Sequence, residues 1–96
     1  MKVWQLLDSP DKWIQNQLAQ DSQGKSVNPE YESGCKWCLA GAICTCYPKT
    51  WREVWNSLND TLKKRTNSEY CSVPGWNDNP KRKWEDVYNL CKELNI

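Results

Sequence analysis

Four cysteines within twelve residues form the spacing in this chain best suited to chemistry: Cys35-x-x-Cys38, then Cys44-x-Cys46. Thiolates paired at such intervals suit a tetrahedral zinc site. The residues between them argue against one. The stretch reads C-K-W-C-L-A-G-A-I-C-T-C, with only Lys36 and Thr45 polar. Leu-Ala-Gly-Ala-Ile predicts a helix over 34–46, with Ser33 placed to cap it. On such a helix Cys44 points about 180° from Cys35, and Cys35 and Cys46 lie about 16 Å apart along the axis. We therefore read structural thiols, with no metal and no cofactor, because free cysteine is among the most buried residue types. A mixed site taking Cys35 and Cys38 with Cys71 or Cys91 stays open.

Cys38 is also the candidate nucleophile, with Asn77 and Asp78 as its polar partners. The chain has no histidine, so a Cys-His pair within it is excluded. Activation would fall to a helix N-terminus or to Lys36. We prefer the plainer assignment, in which Cys38 packs beneath Trp76 while Asn77 and Asp78 satisfy backbone amides at the turn. Two basic triplets complete the inventory, Lys63-Lys64-Arg65 and Lys81-Arg82-Lys83. The second, beside Trp76, Trp84 and Tyr70, would suit phosphates and unstacked bases. The first falls in the last turn of an expected helix, where cations meet the negative end of the dipole. A net charge of +1 favours solvated basic segments over a nucleic-acid protein.

The elements that must hold these residues follow from pattern. Residues 1–8 are apolar and strand-like or irregular. Ser9-Pro10 starts a helix carrying Trp13 and Ile14 inward. Asp21-Ser22-Gln23-Gly24 is a turn with Gly24 at positive φ, and a small β-hairpin near 17–28 competes there with helix-then-loop. Asn28 through Gly34 is a connection. Thr50-Trp51-Arg52-Glu53 is a capping-box sequence, and Trp51, Val54, Trp55, Leu58 and Leu62 recur at helical spacing behind it, predicting a helix over 51–65. Thr66–Arg82 reads as irregular, with Pro74-Gly75 and Asn79-Pro80 as breakers. A last helix carries Trp84, Val87, Tyr88, Cys91 and Leu94 on one face.

Ninety-six residues suit one domain, 1–96, with a single core. Seven Trp and four Tyr, with no Phe, carry its aromatic volume. Met1–Leu7 is too short for a signal-peptide apolar region, and no run nears the ~20 residues of a membrane span. The expectation is a cytoplasmic chain with reduced thiols.

Trp37-Cys38-Leu39-Ala40-Gly41-Ala42-Ile43 resembles a WCLxGA motif, and Trp76-Asn77-Asp78-Asn79-Pro80 a WNDxP motif followed by a short helix. With Trp13-Ile14-Gln15 and Asp21–Val27 upstream, residues 11–94 resemble a family of small bacterial and phage proteins, a domain of unknown function. The resemblance implies a compact cytosolic domain and no particular activity. Two departures stand out. Lys83 occupies the helix start where the family has Thr, so a cap must come from elsewhere. Only Cys38 of the six cysteines belongs to the motifs.

The fold expected is mainly α: three to four short helices around a buried central helix (34–46), with a possible hairpin near 17–28. The function expected is a small protein-binding module. Trp37, Cys38, Gly41, Trp76, Asn77 and Asp78 are the candidate motif residues. Trp4 and Trp55, outside both blocks, are the candidate partner contacts. The alternatives are an enzyme using Cys38 and Asp78, and a single-stranded nucleic-acid binder through residues 81–84. Another protein is the expected partner, ahead of nucleic acid, and no membrane is expected.

Overall fold

The centre of the fold is the small apolar run Leu39–Ile43, in which Leu39, Ala40, Ala42 and Ile43 are completely shielded from solvent. The computed structural model describes residues 1–29 and 31–96. Its helices are α1 (Val3–Leu6), α2 (Leu39–Cys46), α3 (Trp51–Thr66), α4 (Val73–Asn77) and α5 (Trp84–Leu94). A 3-10 turn spans Pro10–Lys12, and strands β1 (Ala19–Gln20) and β2 (Lys36–Trp37) pair antiparallel. The protein is thus mainly α with a small sheet. α2 packs against α1, α3 and α4, and α1 also meets α5. Val3, Leu7, Leu58, Leu62, Val73, Val87, Leu90 and Cys91 close the core around it. No described helix is long and apolar enough to cross a membrane.

α2 is shorter than expected: it begins at Leu39, not at 34. Residues 35–38 are extended because their backbone pairs with the 18–20 segment. Cys35 N donates to Gln20 O at 2.7 Å and Cys38 N to Leu18 O at 3.1 Å, in the register Ala19↔Trp37. Sheet pairing there outweighs helical continuation, and aromatic Trp37 suits the pleat. Cys38 becomes the N-cap, its Sγ accepting from Gly41 N at 3.3 Å.

The hairpin near 17–28 is half realised. Asp21 N donates to Lys25 O and Val27 N to Ala19 O, and Gln20 bridges Ser26. Asp21 Oδ1 accepts from Gln23 N and Lys25 N, and Gly24 sits at φ 83° as the turn requires. The regular partner of β1 is nevertheless β2. The connection from Asn28 to Gly34 passes through Glu30, which lies outside the described residues.

Other boundaries moved for local reasons. Residues 3–6 are helical, with Gln5 Oε1 accepting from Lys2 N at 2.8 Å and Val3 N donating to Ile96 O. The helix after Pro10 stops within one turn, because Trp13 is extended and bridges Trp37. Thr50 caps α3 only through its backbone, so the capping box is not made. Residues 73–77, expected to be irregular, form α4. Ser72 Oγ accepts from Gly75 N, Pro74 occupies the first turn, and Asn59 Oδ1 of α3 accepts from Val73 N at 2.9 Å. The missing cap of α5 is supplied by Asp86, whose Oδ2 accepts from Lys83 N at 3.0 Å.

Candidate functional site

The two motif blocks meet at Asn77. α4 delivers this side chain into the core with no exposure to solvent. Asn77 Oδ1 accepts from Trp13 Nε1 at 2.7 Å and from Leu39 N, the first amide of α2, at 3.0 Å. Its Nδ2 donates to Ile14 O at 3.2 Å and to Asp78 Oδ1 at 2.9 Å. A buried amide with both donors and its acceptor engaged is a structural junction. Gln15 Nε2 adds bonds to the carbonyls of Asn77 and Asn79.

Asp78 Oδ1 also accepts from Asn16 N at 2.9 Å. Asn16 has φ 68°, so this carboxylate fixes a left-handed turn. Asp78 therefore does not cap α5, as an acidic residue upstream of Lys83 suggests; it closes α4 onto the 13–16 segment. Trp76 turns elsewhere. Its carbonyl accepts from Arg82 Nε at 2.8 Å, and the guanidinium carbon lies 3.9 Å from the ring centroid.

Cys38 is 4% exposed. Burial pushes its thiol pKa up, and the charges of Asp78 and Cys44 add to the rise against the lowering by the Gly41 and Ala40 amides. A nucleophilic cysteine needs the reverse. Burial likewise pushes Cys46 to about 11 and Cys91 to about 12. Cys35 alone is exposed. Among the described residues, no group of three or more Cys, Asp or Glu side chains is arranged to hold a metal.

Gly41 lies against the backbone of β1's approach: a Cβ there would stand 1.9 Å from Leu18 O. The tryptophans are all half-buried. Trp37 sits over Gly34, and its Nε1 and that of Trp4 are buried without a hydrogen-bond partner among the described residues. Trp4 packs edge-on to Tyr88 and Trp55 edge-on to Trp51. Trp84 donates through Nε1 to Leu7 O at 2.7 Å and stacks on Tyr88, so it belongs to the framework beneath the second basic triplet. The large apolar side chains that do stand exposed are Met1, Leu18, Tyr31 and Tyr70.

Two surface features emerge from the fold. One is a groove of about 320 Å³ between α3 and the end of α5, with Leu58 in its floor, Val54, Leu94 and Ile96 in its walls, and Glu53, Ser57 and Thr61 along its rim. Glu53, Ser57 and Thr61 fall at i, i+4 and i+8, so the helical spacing that marked the apolar face of α3 also marks this rim. The other is a cleft of about 350 Å³ where Tyr70, Trp76 and Arg82 meet. The groove joins segments distant in the chain, which hides it in the sequence. The cleft lies within residues 66–82, where the sequence already sets Tyr70 and Trp76 beside the second basic triplet with Arg82.

Residues 2–94 match the family model described as Family of unknown function (DUF6197). No curated protein and no solved structure matches.

Proposed function

The chain belongs to this DUF6197 family of unknown function, and from that premise we propose that it is a small protein-binding module. The observation that carries the reading is the groove between α3 and the end of α5. Its aliphatic walls and hydroxyl rim suit an amphipathic segment of another protein that inserts branched aliphatic side chains. Glu53 at one edge calls for a basic residue on that segment. The volume, about 320 Å³, is at the lower end of ordinary binding pockets. We take the partner to be a cytoplasmic protein of a bacterial or phage-infected cell, in keeping with the WCLxGA and WNDxP resemblance. Trp55, the chain neighbour of Val54, and Trp4, which lines a separate depression with Tyr47 and Asn95, are further candidate contacts outside the groove.

The enzyme alternative is less well supported. Cys38 is buried with its thiol pKa raised. Asp78 is engaged by Asn16 and Asn77.

Ser57→Arg tests the reading, since Ser57 is exposed and lies on the rim. A protein captured by the wild type should be purified and titrated against both forms, with an expected loss of tenfold or more for the variant. Equal affinity for both forms would place the contact elsewhere and overturn the groove.

A further inference from the structure

We propose that the face where Tyr70, Trp76 and Arg82 meet is a binding site for single-stranded nucleic acid. Its path runs from Lys63 and Lys64 across Tyr70 to Arg82 and Lys81. None of its lining residues is shared with the α3–α5 groove.

The fold joins the end of α3 to the Tyr70–Arg82 stretch. A depression of about 390 Å³ is lined by Lys63, Lys64, Asn67, Ser68 and Glu69. Ser68 also lines the next cleft, of about 350 Å³, with Tyr70, Ser72, Trp76, Asn79 and Arg82. The loop that carries Tyr70 bends back through Tyr70 N donating to Ser68 Oγ and Cys71 N to Ser68 O. Lys63 and Lys64 of the first triplet and Arg82 of the second thereby border one continuous surface.

Three features fit this ligand class. Tyr70 is 94% exposed, so its ring adds nothing to the core and offers a free face on which a base can stack. Arg82 is held flat on Trp76, with Nε already bonded to Trp76 O. A pre-positioned guanidinium loses little entropy on taking a phosphate through its other N–H groups. Lys63 and Lys64 are exposed at one end of the path. Lys81, exposed next to Arg82 in the chain, has its backbone N tied to the cleft residue Asn79 through Oδ1 at 2.9 Å. Ser68, Ser72 and Asn79 supply polar groups for base edges. A duplex hides its base faces inside the stack, so an exposed ring favours single strands.

The acidic residues define the path's limits. Arg82 and Trp76 also line a third cleft, on their far side, with Arg65, Asp86 and Glu93. There Glu93 pairs with Arg65 at 2.9 Å and Asp86 caps α5, leaving no surplus positive charge. Glu69 opposes Lys63 and Lys64 and keeps the affinity modest. About four cations face the strand, which sets a slope of about −3 for log affinity against log salt.

Fluorescence anisotropy with short labelled oligothymidylate and oligouridylate tests this at low and moderate salt. Saturable binding is expected, with that slope. Tyr70→Ala should weaken it by about tenfold or more with the slope and the melting temperature unchanged, and Tyr70→Phe should restore it. Lys81→Gln should flatten the slope by about 0.7. Three results would overturn the proposal: no binding at low salt, a Tyr70→Ala protein that binds as the wild type does, or polyglutamate competing as well as the oligonucleotides.

Discussion

Asn77 Oδ1 and the backbone amide of Leu39, 38 positions apart in sequence, are joined by a 3.0 Å hydrogen bond inside the core. Through it the end of α4 satisfies the first amide of α2, which begins in an apolar setting where water cannot serve. The same oxygen accepts from Trp13 Nε1. One side chain thus holds together the 13–16 segment, the central helix and the turn before α5.

Asn77→Ala should therefore be among the most damaging single changes in the chain. It leaves the Trp13 indole, the Leu39 amide and the Ile14 carbonyl unpaired at buried or partly buried positions. At about 1–3 kcal/mol for each unsatisfied group, less what relaxation and water recover, the expected loss is about 3–4 kcal/mol. Urea unfolding followed by tryptophan fluorescence measures it. A loss below about 1 kcal/mol would mean that the junction is wet.

This junction was only partly legible in the sequence. The pairing of the Trp37-Cys38 and Trp76-Asn77 blocks suggested that they meet, and a turn role for Asn77 followed from its residue type. Which amide it serves depends on where α2 starts, and that depends on β1–β2 pairing. Cys35–Trp37 reads as helix by composition and is extended because Leu18 and Gln20 offer carbonyls alongside. α4 is hidden in the sequence for a different reason. Pro74-Gly75 reads as a breaker, yet Pro in a first turn behind Ser72 starts a helix. α3 and α5 were legible because long amphipathic periodicity survives changes in tertiary context. The Tyr70–Arg82 face was legible in part, because Tyr70, Trp76 and Arg82 lie close in the chain. Its junction with Lys63 and Lys64 was not, because that depends on how the loop after α3 folds back.

Gly41→Ala has a sign that discriminates between two environments. On an open helix surface the change should stabilise by about 1 kcal/mol through helix propensity. Here the added Cβ would stand 1.9 Å from Leu18 O, a backbone atom that sheet pairing holds in place. Overpacking should win, with a net loss of about 2–3 kcal/mol and a matching drop in melting temperature. Stabilisation would separate the 18–20 segment from α2.

Asp86, and not the upstream Asp78, caps α5. Asp86→Ala removes the carboxylate that accepts from Lys83 N at the start of α5. It should cost about 1 kcal/mol, the usual value of a cap. Asp78→Asn keeps an acceptor for Asn16 N and should cost no more than about 1.5 kcal/mol. Helicity of α5, read by amide hydrogen exchange at residues 85–88, should fray in the first variant and not in the second. Fraying in Asp78→Asn instead would restore Asp78 as the cap.

The buried thiols set the response to alkaline pH. Burial pushes Cys91 up to about 12 from an ordinary 9.0, with the neighbouring Cys46 adding to the rise. Cys46 itself moves up to about 11. In the unfolded chain these thiols ionise near their ordinary value, whereas the folded protein keeps them protonated. Between about pH 9 and about pH 12 the folded state thus binds more protons, and stability falls as pH rises. Below that window both states are protonated and the stabilising difference is fully present. Cys91 alone should lower stability by about 1 kcal/mol between about pH 8 and about pH 10. Cys91→Ala will lower stability at every pH through the cavity it leaves, but its decline over that range should be shallower than the wild type's. Alkylation at about pH 8 gives an independent reading: Cys35 should react at once, and Cys38 and Cys91 only on unfolding. Equal slopes in urea titrations of the two proteins, or rapid labelling of Cys91 in the native state, would show that the thiol meets water.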